Sequence, residues 1–123
     1  MSPRRRIRSP NPDLTSLIRL LRKKSRENEA ALWRDVAERI SKPKRMRIAV
    51  NISRINRHSQ ENDDVLVPGK VLGAGILGHP VKVAAVDFSD QARAKILEAN
   101  GKCLSIPDLV EMNPKGTKVK LIG

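Results

Sequence analysis

The chain has 123 residues, which is enough for one domain with a modest hydrophobic core. Hydrophobic residues make up 39% of it, and this share excludes a wholly disordered chain. The net charge of +12 is unevenly distributed, because residues 1–60 carry 17 Lys and Arg against 5 Asp and Glu, whereas residues 61–123 carry 8 of each. Such segregation predicts a polyanionic partner for the first half of the chain.

Hydropathy and cysteine usage indicate an intracellular protein. No apolar run approaches the roughly 20 residues of a membrane span. Residues 1–10 are basic, but no hydrophobic stretch follows them, which argues against a signal peptide. The single cysteine, Cys103, has no partners at metal-ligand spacing. We therefore expect a soluble cytoplasmic protein that binds no cofactor, no metal, no membrane and no small-molecule substrate.

Residues 1–10 are expected to form an extended arm, because they contain too little apolar surface to fold alone. A helix is predicted to follow, with Asn11 as its cap, Pro12 at its first position and its end near Glu27. The apolar residues of this helix share one face, and no acid is expected to interrupt the basic face opposite. The arm and this face supply eight predicted phosphate contacts: Arg4, Arg5, Arg6, Arg8, Arg19, Arg22, Lys23 and Arg26.

A second helix is predicted at about residues 29–40 from the same apolar spacing. Trp33 lies inside its apolar stripe. Its ring could stack on a nucleic-acid base, but we interpret it as a core residue. The opposite face mixes charges of both signs and is expected to be exposed or internally paired: Arg34, Asp35, Glu38 and Arg39.

A basic connection at residues 41–47 interrupts the helical pattern around Pro43. A short strand is predicted at residues 48–52, after which basic residues lead into a polar loop at residues 59–64. The connection and this segment supply seven further predicted contacts with a polyanion: Lys42, Lys44, Arg45, Arg47, Arg54, Arg57 and His58.

Strand and helix patterns alternate in the rest of the chain. Two helices are predicted, one at residues 90–99 with Ser89 as its cap, and one at about residues 105–113 with a capping box between Ser105 and Asp108. Strands are predicted at residues 65–72, 81–88, 102–105 and 118–122.

This order predicts a small α/β fold. The predicted organisation is an arm at residues 1–10 and a single RNA-binding domain at residues 11–123. Within that domain, residues 11–47 form a basic helical part and residues 48–123 form the α/β core.

Residues 73–78 match the dinucleotide-binding pattern G-x-G-x-x-G, so one alternative is a small nucleotide-binding enzyme that uses this loop. A dinucleotide site needs a helix that begins at the glycines, whereas His79-Pro80 and another predicted strand follow here. The glycines are better explained by a tight link between two strands. A further possibility is that bare amides of this link lie close to phosphate, helped by Lys70.

The sequence contains no arrangement typical of catalysis. His58 and His79 lie in polar or turn segments, without a nucleophile or a zinc-ligand spacing. Adjacent Asp63 and Asp64 are interpreted as solvated or turn residues, and Cys103 as a small buried hydrophobic residue. We therefore predict a protein that is not an enzyme. A DNA-binding chromatin protein is a second alternative, because net charge does not distinguish polyanions.

Four segments resemble a known family: residues 50–55 (VNISRI), 67–73 (VPGKVLG), 83–89 (VAAVDFS) and 113–116 (NPKG). They are similar to the archaeal and eukaryotic large-subunit ribosomal protein family eighteen-e, a relative of bacterial large-subunit protein fifteen. The resemblance extends from Asn11 to Ile122, and the short chain is similar to archaeal members. VPGKVLG is its most specific string.

The resemblance implies an α/β core of irregular, superhelically arranged strand and helix units, preceded by basic helices and an arm. It also implies a non-catalytic structural constituent of the large ribosomal subunit, with ribosomal RNA and neighbouring ribosomal proteins as partners. Basic arms and loops suit this role, because A-form RNA is recognised mainly through its phosphates, its 2′-hydroxyls and its shape.

Overall fold

Five helices and five strands follow one another along residues 12–42 and 48–123, which are the residues that the computed structural model describes. The predicted arm with its four arginines, the cap Asn11, and residues 43–47 with Lys44, Arg45 and Arg47 lie outside this part. The elements are α1 (Pro12–Asn28), α2 (Ala31–Ile40), β1 (Ile48–Asn51), α3 (Ile52–His58), β2 (Asp64–Leu72), β3 (Lys82–Phe88), α4 (Asp90–Glu98), β4 (Lys102–Ser105), α5 (Ile106–Met112) and β5 (Val119–Leu121).

The described strands pair in parallel, with β2 at the centre of the sheet. β3 and then β4 lie on one side of β2. On the other side β1 and β5 lie end to end, because Ile48 pairs with Gly69 and Leu121 pairs with Leu66. Pro68, which has no amide hydrogen to donate, lies where the register between β2 and β3 shifts. The irregularity therefore accommodates a proline within a central strand.

The sheet divides the hydrophobic core into two clusters, because successive side chains of a strand point to opposite faces. Val65 and Val67 join the cluster under α3 and α4, which we call the α3 side. Leu66 and Ala84 join the cluster under α1, α2 and α5, which we call the α1 side. The predicted α/β class is thus confirmed, with helices on both faces of a parallel sheet.

The helices α1 and α2 pack against each other on the α1 side. Leu21 of α1 and Trp33 of α2 are fully buried, and Trp33 Nε1 donates a hydrogen bond to the carbonyl oxygen of Pro114 at 2.6 Å. This confirms the interpretation of Trp33 as a core residue. The second helix begins two residues later than predicted, because Glu29 adopts a left-handed φ of +53° in the turn.

The predicted caps of α4 and α5 are both present. Ser89 Oγ accepts a hydrogen bond from the Ala92 amide at 3.1 Å. Ser105 Oγ accepts one from the Asp108 amide, and the Asp108 carboxylate accepts one from the Ser105 amide, each at 3.2 Å. Side-chain oxygens thus satisfy amides that the first turn of each helix leaves without partners.

The structure contains a helix, α3, where the sequence predicts a strand up to Ile52 followed by a basic segment that leads into a loop. The strand ends at Asn51, and residues 52–58 are helical. Seven residues are too few for a helix that is stable alone, and β-branched residues favour strands. This helix forms because Ile52 and Ile55, one turn apart, are both fully buried in the core of the α3 side.

Candidate nucleic-acid interface

Four basic side chains of α1 are exposed on the face opposite its apolar stripe. We call this set the α1 basic face: Arg19, Arg22, Lys23 and Arg26. None of its three arginines forms an ion pair with another residue in the described part of the chain. Their planar guanidinium groups keep several donors available for bidentate contact with phosphate.

An acid does interrupt the basic side of α1, contrary to the sequence interpretation. The Glu27 carboxylate lies 3.9 Å from Lys23 Nζ and 3.1 Å from Lys24 Nζ. Residues three or four positions apart on a helix are neighbours, so one carboxylate reaches both lysines. The free positive charge of this helix is therefore concentrated on the arginines.

The cations of α2 are paired, as expected for a face of mixed sign. Arg34 Nε lies 3.6 Å from the Glu38 carboxylate, and Arg39 Nε lies 3.1 Å from the Asp35 carboxylate. Residues of both α1 and α2 line an open groove of about 770 Å³, where Arg34 lies together with Arg22 and Arg26 of the α1 basic face and with two glutamates. This position of Arg34 was not predicted, because it depends on the angle at which the two helices meet.

Three further predicted contacts are exposed on α3, and we call them the α3 basic surface: Arg54, Arg57 and His58. None of them forms an ion pair within residues 12–42 and 48–123. Arg54 and His58 line a groove of about 330 Å³ together with Lys120 of β5. Lys120 was not among the predicted contacts, and no local pattern could have revealed it, since β5 reaches this groove only through its pairing with β2.

The charge of Lys120 is partly neutralised by Asp63. The Asp63 carboxylate lies 2.8 Å from Lys120 Nζ and accepts a hydrogen bond from the Gln60 amide at 2.7 Å. These two interactions, the lysine first, lower the pKa of the Asp63 carboxyl below its ordinary value of 3.8. Asp63 therefore acts as a turn residue, as interpreted from the sequence.

The glycine-rich loop at residues 73–78 is packed against α3 and α4, and the next element after it is the strand β3 and not a helix. The amides of Ala74 and Gly78 donate to the side-chain oxygens of Asn51 at 3.3 Å and Asn56 at 2.9 Å. These two amides are not bare, so the idea of bare amides close to phosphate is wrong for them. The interpretation of a tight irregular link is confirmed.

Two carbonyl groups of the same loop are held by one lysine for which the sequence predicted no role. Lys95 Nζ donates to the carbonyl oxygens of Gly73 and Gly75, each at 2.6 Å. Its position three residues after buried Ala92, beside the apolar stripe of α4, is a signal that could have revealed an inward role. The nearby predicted contact Lys70 is exposed, 4.0 Å from the Asp87 carboxylate.

His79 and Cys103 are the two other groups that were considered as candidates for catalysis or metal binding. Ser59 Oγ donates to the Ile55 carbonyl oxygen at 2.6 Å and therefore accepts from His79 Nε2, which lies at 2.9 Å. Cys103 is partly buried, and burial raises the pKa of its thiol. Within the described ranges, no three His, Cys, Asp or Glu residues are grouped to hold a metal ion, and no helix is long and apolar enough to cross a membrane.

Comparison with known proteins assigns the chain to a family. Residues 1–123 match the model of the family described as ribosomal protein 60S L18 and 50S L18e. The chain belongs to this family. It is 55% identical to the large ribosomal subunit protein eL18 of Methanothermobacter thermautotrophicus over 118 residues, which cover 96% of this chain and 98% of that protein. The proteins of the same name from Archaeoglobus fulgidus and Methanococcus maripaludis are 48% and 46% identical, over 94% and 97% of this chain and 99% of each relative.

Membership confirms the class expected from the sequence strings. The protein is a structural ribosomal protein of the large subunit, located in the cytoplasmic ribosome, and it is not an enzyme. The archaeal relatives agree with the expected archaeal type. The nucleotide-binding alternative is thereby rejected, in agreement with the strand β3, and not a helix, as the element that follows the glycines.

Proposed function

We propose that this protein binds large-subunit ribosomal RNA directly, chiefly through the α1 basic face. The single observation that supports this most is the contrast between α1 and α2. The three arginines of the α1 basic face are exposed without ion-pair partners among the described residues, whereas Arg34 and Arg39 of α2 each pair with a carboxylate of their own helix. Unpaired cations on a neutral scaffold suit a partner whose phosphates neutralise them.

The α3 basic surface extends the proposed interface, as do the exposed Lys42 and Lys70. The arm at residues 1–10 and the basic residues Lys44, Arg45 and Arg47 belong to the same proposal on grounds of charge alone. Neighbouring ribosomal proteins are proposed as further partners. The proposed domain limits also remain those of the sequence analysis, an arm at residues 1–10 and one RNA-binding domain at residues 11–123.

The salt dependence of binding tests the main proposal. The full chain and an Arg19→Gln/Arg22→Gln/Arg26→Gln variant are titrated with a folded large-subunit ribosomal RNA transcript of Methanothermobacter thermautotrophicus in a series of KCl concentrations. Each phosphate contact that is lost reduces the slope of log affinity against log salt by about 0.7–0.9. The triple variant is therefore expected to bind more weakly and to lose about two to three units of slope.

A matched control removes three cations that are already paired: Lys24→Gln/Arg34→Gln/Arg39→Gln. It is expected to change the slope by less than about one unit, because its cations are neutralised internally. Equal effects of the two triple variants would mean that bulk charge, and not the α1 basic face, determines affinity. Equal affinity for a DNA duplex of the same length would contradict selective binding of RNA.

A further inference from the structure

The two described basic surfaces lie on opposite sides of the sheet. The α1 basic face belongs to a helix whose Leu21 is buried in the core of the α1 side. The α3 basic surface belongs to a helix whose Ile52 and Ile55 are buried in the core of the α3 side. β2 and β3 contribute alternate side chains to both cores, so the complete sheet lies between the two helices.

Both surfaces point away from the cores that hold their helices. Arg54 and Arg57 are one turn apart on the face of α3 opposite to Ile52 and Ile55, and both are exposed. On the other side, α1 packs mainly on α2 and more lightly on α5, which places its basic face at the outside of the helix layer. The positive charges of the two surfaces therefore face in different directions.

The two surfaces are too far apart to act as a single electrostatic site. Helices are about 10–12 Å thick and pack about 10 Å from their neighbours, so a sheet with a helix layer on each face is about 30 Å across. The Debye length at physiological ionic strength is about 8 Å, so salt screens the surfaces from each other. An RNA helix that lies on one surface is separated from the other by the whole protein.

We infer that the protein bridges two separate segments of double-helical RNA, one on the α1 basic face and the other on the α3 basic surface. The inference rests on the RNA binding proposed above and adds a geometry to it. In this arrangement the neutral α/β sheet is a rigid spacer that fixes the distance between the two segments. Removal of either surface leaves one RNA contact and abolishes the bridge.

Energy transfer between two RNA duplexes tests this inference with the full chain. One short duplex carries a donor dye, a second duplex carries an acceptor dye, and neither pairs with the other. The unmodified protein is expected to produce energy transfer at a ratio of two duplexes to one protein. Arg54→Gln/Arg57→Gln and Arg19→Gln/Arg22→Gln/Arg26→Gln are each expected to bind one duplex and to lose the transfer.

The control variant is Lys115→Gln/Lys118→Gln, which removes two exposed lysines from the segment between α5 and β5 and is expected to retain the transfer. Binding without transfer in the unmodified protein would overturn the inference but leave RNA binding intact. Transfer that persists in Arg54→Gln/Arg57→Gln would also overturn it, because another segment would then form the bridge. Absence of any RNA binding would refute both the inference and the proposed function.

Discussion

Trp33 connects two distant parts of the chain through one hydrogen bond. Its Nε1 donates to the carbonyl oxygen of Pro114, 81 residues away. Asn113 supports this segment by donating to the Thr117 carbonyl oxygen at 2.8 Å and by accepting from the Thr117 amide at 3.2 Å. Gly116, at a φ of +67°, lies so close to α2 that an added Cβ would be 2.7 Å from a methyl carbon of Leu32. The NPKG string thus has a structural role under α2.

Replacement of Trp33 by Phe is expected to destabilise the fold by about 2 kcal/mol, because it leaves a cavity and removes the hydrogen bond to Pro114. Circular dichroism during urea unfolding measures this change without a need for tryptophan fluorescence. Leu97→Ala is the control, since Leu97 is 55% exposed and its truncation is expected to change stability by less than about 0.5 kcal/mol. Similar stability of the two variants would show that the Trp33 contact is dispensable.

Asp63→Asn is expected to produce a small, pH-dependent loss of stability. The folded-state pKa of Asp63 is lowered, chiefly by Lys120, so this carboxylate stabilises the fold above pH 3.8 and ceases to do so as the pH falls through its folded value. A loss of about 0.5–1 kcal/mol at neutral pH, as for ion pairs near a surface, should disappear in acid.

Urea unfolding at a series of pH values checks the Asp63 prediction. Glu61→Gln is the matched control, because Glu61 is an exposed acid nearby that has no ion pair in the described part of the chain. A loss of stability in Asp63→Asn that is constant with pH would contradict the role of the Lys120 pair.

At the scale of elements, α3 and the glycine-rich loop stabilise each other. Asn51 and Asn56 accept hydrogen bonds from the loop, and the Ser53 amide donates to the Ala74 carbonyl oxygen at 3.1 Å. Gly75, with a φ of +102°, would place an added Cβ 2.4 Å from the Ser53 Cβ. The glycines therefore serve the close packing of the loop on the helix that carries the α3 basic surface.

Lys95→Met is expected to loosen this loop. The change retains the aliphatic stem but removes two charge-assisted hydrogen bonds to the carbonyl oxygens of Gly73 and Gly75. Faster amide hydrogen exchange is expected at Ser53, Ala74 and Gly78, together with a loss of global stability of about 1–3 kcal/mol.

Hydrogen exchange measured by NMR checks the Lys95 prediction. Lys102→Met is the control, because Lys102 is exposed on β4 and makes no side-chain hydrogen bond or ion pair within the described ranges. Unchanged exchange at the loop in Lys95→Met, or an equal change in the control, would show that Lys95 does not hold the loop.

Local signals predicted most elements, and long-range packing determined those that were missed. Ser89, Ser105 and Asp108 indicated the starts of α4 and α5 because capping depends only on neighbouring residues. The helix α3 was missed because its stability comes from burial of Ile52 and Ile55 against strands elsewhere in the chain.

At the scale of the whole molecule, composition indicated where the charge lies along the chain but not where it lies in space. The basic residues of α1 and α3 all belong to the first half of the sequence, yet the sheet separates them. The order of the strands was also not predictable from local patterns, since β5 joins β2 beside β1. Two separate basic surfaces could therefore be recognised only in the folded chain.

The contact between Trp33 and Pro114 also has a consequence for synthesis of the protein. The basic helices leave the ribosome early, but the α1-side core is complete only after α5 and residues 113–116 have emerged. During most of translation the apolar stripes of α1 and α2 lack their final partners, and exposed apolar surface promotes aggregation. Stable folding of the α1 side is therefore expected only when nearly the whole chain has been made.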